Sequence, residues 1–402
     1  MSNKKDILYL GTLIPNSEFN KLLVLDNTPQ IATHLFSWKM FFAITYSNND
    51  IFYVLSTRPI TDYPNCSIKI NKNKKWYYNN NVLHELFFIN LPILKTLTLI
   101  FSSFIYSIIW LLKTKRQNRK LVILDNYQLP YLFSGFLISS ICRIPIICIL
   151  TDPPNMIYKI KWEPVIKKYL RFLNSKISLY FFNKLDGVIA ITKYLANEFC
   201  PTSKSLIIEA IGEGNLNIKS NKYNKFIIMY SGGLSSEYGI INLLEAFIEI
   251  SNKNLELWFY GKGDAESIIK DFENKDSRIF YKGCLQNDKI KKIQTEVSLL
   301  INPRPTDLPD GKYSFPSKIL EYLESGTPAL VTKLKGIPIE YYDHLLFMDS
   351  LNKVDIRNKI IEVYNMDKIE LQQIGLNGKY FSEQKNIENQ GKKIIQFINS
   401  LK

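Results

Sequence analysis

Lys318 and Glu321 stand three residues apart in Tyr313-Ser-Phe-Pro-Ser-Lys-Ile-Leu-Glu-Tyr-Leu-Glu-Ser-Gly-Thr-Pro-Ala-Leu-Val-Thr332, so on a helix they share a face. A helix N-terminus attracts anions through its unpaired amides and its dipole, and a lysine in the first turn strengthens that attraction. The pair suits a phosphate on Lys318 with a hydroxylated group beside it on Glu321. Ser314 is placed to cap this helix and Pro316 to open its first turn, while Gly326 and Pro328 end it before the apolar strand 329–331.

Other segments carry matching chemistry. Tyr230-Ser-Gly-Gly-Leu-Ser-Ser-Glu-Tyr-Gly239 follows an apolar strand and precedes a helix. Gly232 and Gly233 there would let backbone amides approach phosphate closely, although a tight turn needs no more than this. Asn302-Pro-Arg-Pro-Thr-Asp307 ends another strand, and Arg304 can grip a diphosphate bidentately. Asp152, in Leu150-Thr-Asp-Pro-Pro154, is either an acid that orients or deprotonates a hydroxyl or a plain turn former before two prolines. Gly261-Lys-Gly263 and Lys282-Gly-Cys-Leu285 read as strand-end loops, and His34, His84 and His344 as structural.

The elements that must position these residues repeat one pattern. Short β-branched runs at 7–10, 51–56, 121–125, 146–151, 187–192 and 205–209 alternate with helical stretches. Runs at 226–231, 255–260, 278–282, 297–302, 329–332 and 345–348 do the same around helices at 239–250, 264–273, 286–294 and 316–325. The pattern predicts two doubly wound α/β domains with parallel sheets. A polar, glycine-containing stretch over 213–224 reads as a linker between domains 1–212 and 225–379, and 380–402 is a helix left over after the second sheet. The segment 91–112 has the length of a membrane span, yet it feeds the strand 121–125 directly. It reads as a crossover helix with one face in a lipid interface, a true span being the other reading.

Length and composition agree with this division. The 402 residues, 46% hydrophobic, are enough for two cores of roughly 200 residues each. Five scattered cysteines without a CxxC pair argue against a disulfide frame or zinc site and favour a reducing cytosol. The opening MSNKKDILYLGTLIP reads as strand and loop, not as a signal peptide. The net charge of +14 is uneven: residues 1–222 hold 27 Lys and Arg against 13 Asp and Glu, and residues 223–402 hold 24 of each. The stretches 95–120 and 159–184 carry six and seven basic residues with Glu163 the sole acid, interleaved with aromatics such as Phe101, Trp110, Trp162, Tyr169 and Phe172. That mixture suits a membrane surface of anionic lipid, with a solvated basic face as the plain alternative. Nucleic acid would attract the same charge but is not expected as a partner.

At these residues the chain resembles the retaining family 4 glycosyltransferases of the GT-B fold. The resemblance is specific over 225–350 and general before it, and rests on the glycine turn at Gly232 and on Phe315-Pro-Ser-Lys-Ile-Leu-Glu-Tyr-Leu-Glu-Ser-Gly-Thr-Pro-Ala-Leu-Val331. It implies two Rossmann-like domains facing a cleft, a final helix crossing back to the first domain, and a nucleotide-diphosphate sugar as donor, UDP or GDP before others. It also implies no cofactor and no essential metal. Glu321 matches the second acid of the family's motif of two Glu separated by seven residues, expected to hold the ribose. Phe315 matches its Phe, whose neighbouring amides, with Ser314, contact the donor sugar. Gly11 and Thr12 resemble the loop facing the donor diphosphate, and Asp152 stands where the family often has His-Asp. This chain departs from the pattern at Tyr313, which replaces the first Glu, and at Leu234 or Ser235 and Tyr238, which replace an Arg and a Lys. Arg304 and Lys318 are then the expected cations for the departing diphosphate. With the first half basic, the expected acceptor is a lipid-linked or polysaccharide glycan, met by a cytoplasmic protein peripheral on the inner face of a membrane. A non-catalytic scaffold and a sugar-nucleotide epimerase are the alternatives.

Overall fold

The structure, a computed structural model, describes residues 4–46, 50–78, 81–115, 117–154, 165–214, 221–308 and 311–401. Residues 215–220 of the expected linker and 159–164 of the second basic stretch, Trp162 and Glu163 included, lie outside the described residues. The chain divides into two compact units, Met1–Ile208 with Ile387–Lys402, and Glu209–Asn386.

The first unit holds β1 (Lys5–Gly11), β2 (Ile51–Ser56), β3 (Ile70–Asn71), β4 (Lys74–Tyr78), β5 (Asn81–Glu85), β6 (Phe88–Ile89), β7 (Arg119–Leu124), β8 (Ile146–Leu150), β9 (Gly187–Ala190) and β10 (Lys204–Ile207). Eight of these form one sheet in the order β10-β9-β8-β7-β1-β2-β5-β4, parallel throughout except where β4 pairs antiparallel with β5. Strands covered by helices on both faces need apolar side chains on both, and β8, Ile-Ile-Cys-Ile-Leu, is buried along its whole length. The β4–β5 hairpin replaces the Asn/Lys-rich loop that composition suggests around residues 71–75. Trp76 at its centre donates its indole N–H to Glu85 Oε2 at 2.8 Å, which holds β4 on the edge despite its lysines.

The second unit holds β11 (Phe226–Ser231), β12 (Leu255–Tyr260), β13 (Ile279–Tyr281), β14 (Leu299–Asn302), β15 (Ala329–Thr332) and β16 (Leu346–Met348). These form an all-parallel sheet in the order β13-β12-β11-β14-β15-β16, as their periodicity predicts. Each sheet therefore has a point where strand order reverses, between β1 and β7 in the first and between β11 and β14 in the second. Ligands of such sheets bind outside the carboxyl ends of the strands at that point.

Two boundaries differ from the sequence reading. Residues 380–383 end the helix Lys368–Glu383, which packs on the helix Ser317–Ser325 of the second unit, so the segment returning to the first unit is the helix Ile387–Ser400. The second unit begins at Glu209, inside the expected first domain 1–212 and ahead of the linker expected over 213–224. Glu209 accepts from the Tyr341 hydroxyl and pairs with Lys385, both at 2.7 Å, which fastens the segment to that unit.

The apolar helix Leu94–Lys113 has the length and composition to cross a membrane, yet it leads into β7, which lies between β1 and β8. It is a crossover helix packed on the helix Leu129–Cys142.

The two histidines of the first unit are buried and uncharged. His34 stacks on Phe19 with ring centroids 3.9 Å apart, and its Nδ1 is buried without a partner. Burial lowers its pKa to about 4. His84 lies on Tyr53, and burial, then Lys75 and Lys113, lowers it to about 4 as well. Because both folded values lie below the ordinary 6.5, the unfolded chain takes up these protons first. Stability should be complete above pH 6.5 and fall progressively toward pH 4, with a slope of up to about 1.4 kcal/mol per pH unit for each histidine. Glu18, held at about 2 by Lys21 and Arg58, titrates below that window. Urea unfolding of the first unit between pH 7.5 and 4.5 should show the slope, and His34→Gln should reduce it.

Candidate functional site

At the reversal point of the second sheet, β11 ends in the Gly232-Gly233 turn and β14 in Pro303-Arg304. Two glycines hold the loops in place. Gly261 has φ 142° and a Cβ there would lie 1.8 Å from the Gly232 carbonyl oxygen. Gly239 has φ 75° and a Cβ would lie 2.0 Å from that of Pro303. Neither position admits a side chain, because both the backbone conformation and the space forbid it. The loops after β11, β12 and β14 are thus pressed together, and Gly232 N–H donates to Tyr260 O at 3.0 Å.

The helix Ser317–Ser325 closes the site from one side. Its N-cap is Pro316 and not Ser314, because Pro316 with φ −68° and ψ 102° is the last extended residue before the helix. Ser314 makes no capping bond, and its Oγ is buried with no hydrogen-bond partner. Gly326, with φ 72°, ends the helix as expected. The stem of Lys318 runs beside Gly232, its Cγ and Cε each 3.9 Å from where a Cβ would be. Lys318 Nζ and Glu321 Oε2 are 2.7 Å apart, with the two side chains about a third and a fifth exposed. The sequence reading gives these residues separate tasks, whereas the structure joins them as an ion pair next to the glycine turn.

On the other side of the turn, Tyr238 approaches Gly233, and the Arg304 guanidinium lies over the Tyr238 ring at 5.0 Å. The position that lacks the family's lysine therefore carries a cation supplied from the loop after β14. Arg304 is also fixed through its backbone, since its carbonyl accepts from the Thr332 hydroxyl. Tyr313 is half-buried, with Lys312 Nζ 4.5 Å from its ring centroid. Phe315 is a core residue, 7% exposed and packed on Tyr341 at 5.2 Å. Its side chain anchors the segment from which the amides around Ser314 project. Gly232, Gly233, Arg304, Lys318 and Glu321 thus come together in one unit, with Tyr313, Ser314 and Phe315 leading into the same helix.

Tyr322 supports all of this and was not singled out from the sequence, where it passes for one more residue of the helix's apolar face. It is fully buried. Its hydroxyl accepts from Ser231 N–H at 3.3 Å and stands 3.3 Å from Ser231 O and 3.4 Å from Ile301 O. Burial pushes its pKa up to about 12, so it remains a neutral donor. A phenol directly after Glu321 was the available signal.

At the reversal point of the first sheet, Gly11 ends β1 and Asp125 follows β7. A Cβ on Gly11 would lie 2.6 Å from that of Asp125, so only glycine fits there. Thr12 N–H donates to Asp125 Oδ2 at 3.4 Å, and Thr12 Oγ1 is 3.3 Å from Ser37 Oγ. The Tyr131 hydroxyl donates to Gly11 O at 2.7 Å. Both polar groups of Thr12, itself 1% exposed, are engaged inside the unit, and the sequence reading missed the acid that engages them. Burial raises the Asp125 pKa against the opposing pull of Ser37, Tyr9 and Thr12. Asp152 stands after β8, exposed at the same edge, and accepts from the Thr151 hydroxyl at 2.7 Å. It lies in the other unit from Arg304 and Lys318. Among the described residues, no three His, Cys, Asp or Glu side chains are placed to hold a metal ion.

Residues 225–365 match the family model described as Glycosyl transferases group 1. No curated protein matches the chain by sequence. In structure the chain is similar to sucrose-phosphate synthase from Thermosynechococcus elongatus, at 13% identity and a TM-score of 0.64, over 99% of each chain. It is similar also to Anabaena HepE in complex with UDP and glucose, at 13% identity and a TM-score of 0.61, over 98% of this chain and 99% of that one. A third is the E. coli structure described as trehalose-6-phosphate bound with UDP-2-fluoro glucose, at 9% identity and a TM-score of 0.65, over 99% of this chain and all of that one. The fold is GT-B, two Rossmann-like α/β domains, and with the family match it supports a glycosyltransferase.

Replacing Tyr322 by Phe would leave Ser231 N–H unpaired in the core. Such an orphaned donor costs about 1–3 kcal/mol. Tyr322→Phe should therefore lower the unfolding free energy of the second unit, measured by urea titration, by that amount, while Tyr313→Phe, at a half-buried ring, should leave it nearly unchanged.

Proposed function

We propose that the protein is a retaining glycosyltransferase that moves a hexosyl unit from a nucleotide-diphosphate sugar to an acceptor hydroxyl. The observation that carries the reading is the Lys318–Glu321 ion pair beside Gly232, facing Arg304 across the turn at the β11/β14 reversal point. A carboxylate there suits the ribose hydroxyls of a nucleotide, while two cations and the amide of Gly233 suit its diphosphate; the Gly232 amide expected to share that task is taken by Tyr260 O. UDP is the first candidate, because the Anabaena and E. coli structures hold UDP or a UDP sugar, and GDP is the second.

In the reaction, the bond from the sugar's anomeric carbon to the diphosphate breaks and the diphosphate departs with the electron pair. Arg304 and Lys318 neutralise charge that develops mainly in the transition state. The acceptor oxygen then bonds to the same carbon on the face the diphosphate left, and its proton passes to a basic oxygen at the site. Asp152, exposed at the carboxyl edge of the first sheet, is the residue proposed to orient that hydroxyl. With two side-chain cations in place the reaction is proposed to need neither metal nor cofactor, and turnover should survive a chelator. A lipid-linked or polysaccharide glycan is the proposed acceptor, which places the protein on the cytoplasmic face of a membrane; the support is the basic excess of the first half.

The replacement of the motif's first Glu by Tyr313 favours a second reading, a scaffold without turnover. Titration calorimetry with UDP and GDP separates the two, since a scaffold would bind neither at millimolar concentration. Under the first reading Glu321→Ala should weaken nucleotide binding by about 10- to 100-fold, the worth of a hydrogen bond to a charged group. Arg304→Ala and Lys318→Ala should each lower kcat by about 10²- to 10³-fold with a smaller change in KM.

A further inference from the structure

The helix Leu94–Lys113 buries a mixed face and exposes an apolar one. Its buried residues are Leu99 and Trp110 with Ser102, Ser103 and Ser107, whose hydroxyls donate to the carbonyls of Phe87, Ile100 and Ser103 at 3.0, 3.1 and 2.7 Å. Its exposed residues include Leu97, Phe101, Ile105 and Leu112, a stripe at helical spacing that is 55, 68, 38 and 80% exposed. Its most apolar window has a mean hydropathy of 1.6, but 28% of that window is buried. A surface helix of a protein surrounded by water places its apolar stripe inward and its polar residues outward. An apolar stripe turned outward needs an apolar medium there.

The neighbouring helices extend the surface. Phe133, Leu137 and Ile141 of the helix Leu129–Cys142 are exposed at the same four-residue spacing. Phe133 and Leu137, with Phe101 and Phe104, with Phe181 at the end of the helix Val165–Phe182, and with Lys184, line a groove of about 560 Å³. None of the three helices contains an acid. Exposed Lys113, Lys168, Lys176 and Lys184 lie on or beside them. Lys184 Nζ is 4.1 Å from the Tyr180 ring centroid and Lys176 Nζ is 5.5 Å from that of Phe172. Lysine stems laid along aromatic rings carry their ammonium groups to the edge of an apolar surface. Glu163, two residues before the helix Val165–Phe182, lies outside the described residues, and Asp186, four residues after it, accepts from Ile146 N–H at 2.8 Å.

We propose that this groove and stripe seat the first unit on an anionic phospholipid bilayer, with acyl chains against Phe101, Phe133 and Leu137 and lipid phosphates against Lys176 and Lys184. Crossing the bilayer is not required, because the same helix leads into β7 within the sheet. The absence of acids from these three helices and the presence of a lysine rim favour anionic lipid over a neutral surface or a protein partner. The docking rests on the proposed transferase activity only for its purpose, and it is tested without any sugar chemistry.

The full chain would be sedimented with vesicles of equal parts phosphatidylglycerol and phosphatidylcholine, and with phosphatidylcholine alone. The expected result is binding to the anionic vesicles at least about tenfold stronger than to the neutral ones, weakening as salt rises. Phe101→Ser with Leu137→Ser should lower it at least about tenfold with the melting temperature unchanged, as both side chains are exposed. Lys176→Gln with Lys184→Gln should remove the preference for anionic lipid. Failure to bind either vesicle, or undiminished binding by the serine variant, overturns the proposal. So does a dimer in sedimentation equilibrium that the serine variant breaks, since the groove would then belong to a second copy of the chain.

Discussion

The second unit's site depends on one buried phenol. Tyr322 lies within hydrogen-bond distance of the backbone at the carboxyl ends of β11 and β14, and its helix carries Lys318 one turn earlier and Glu321 directly before it. The reversal of strand order leaves a gap between the chain's exits from these two strands, and something must span it without blocking the outside. A hydroxyl pressed up from beneath does this. It satisfies Ser231 N–H, while Gln294 holds the Ser231 side chain at 3.0 Å. Gly232 N–H is spent on Tyr260 O at 3.0 Å, so Gly233 is the glycine whose amide the turn can offer. The close approaches at Gly239 and Gly261 complete the frame, because they press the three loops together with backbone and no side chains.

The first unit solves the same topological problem differently. There the gap between β1 and β7 is filled by the Asp125 carboxylate, which takes up Thr12 N–H, and Tyr131 secures Gly11 from the side. A buried carboxylate is expensive unless donors surround it: Asp125 takes Thr12 N–H on Oδ2, its Oδ1 has no hydrogen-bond partner, and burial raises its pKa. One reversal point is therefore sealed and rigid and the other keeps its polar groups outward. The segments leading between the units receive similar reinforcement: Lys385 pairs with Glu209 in the core of the second unit, and Gly212 N–H donates to Lys385 O at 2.8 Å. Removing one partner of so buried an ion pair leaves the other charge stranded, which costs about 3–5 kcal/mol.

The parts of this architecture legible in the sequence are those that follow from periodicity and glycine placement. The parallel strands of both sheets except β5, the Gly232 turn and the Gly326 helix end were readable, because a strand covered on both faces must be apolar throughout and a left-handed helix end selects glycine. The helix start was misplaced by two residues because a serine and a proline are both plausible caps, and only tertiary contacts decide between them. The β4 strand was read as loop because its Asn/Lys composition outweighed Trp76, whose bond to Glu85 spans nine residues. Tyr322 and Asp125 were missed for a common reason. Each ends or follows an apolar run, where pattern assigns packing, and the hydrogen bonds that give them their roles reach across 91 and 113 residues. The same limit hid the exposed apolar face of Leu94–Lys113, since composition reports apolarity but not which side faces out.

The Lys318–Glu321 pair gives the candidate site its particular economy. In water a partly exposed pair of this kind is worth about 0–1 kcal/mol, so holding it together stabilises the empty protein little. It nevertheless solves a problem of the unoccupied state. A lone cation or carboxylate next to a helix terminus and a glycine turn would draw in adventitious ions, and each side chain would sample many rotamers. Paired, the two are confined to one face and offer a compact, neutral surface. An anion with hydroxyls beside it can replace each partner by a better one, the lysine gaining a charge-assisted bond and the carboxylate gaining donors. Arg304 lies over the Tyr238 ring at 5.0 Å across the turn, beside the same glycines. The arrangement thus separates keeping the site shaped, which falls to Tyr322 and the glycines, from binding, which falls to Lys318, Glu321 and Arg304.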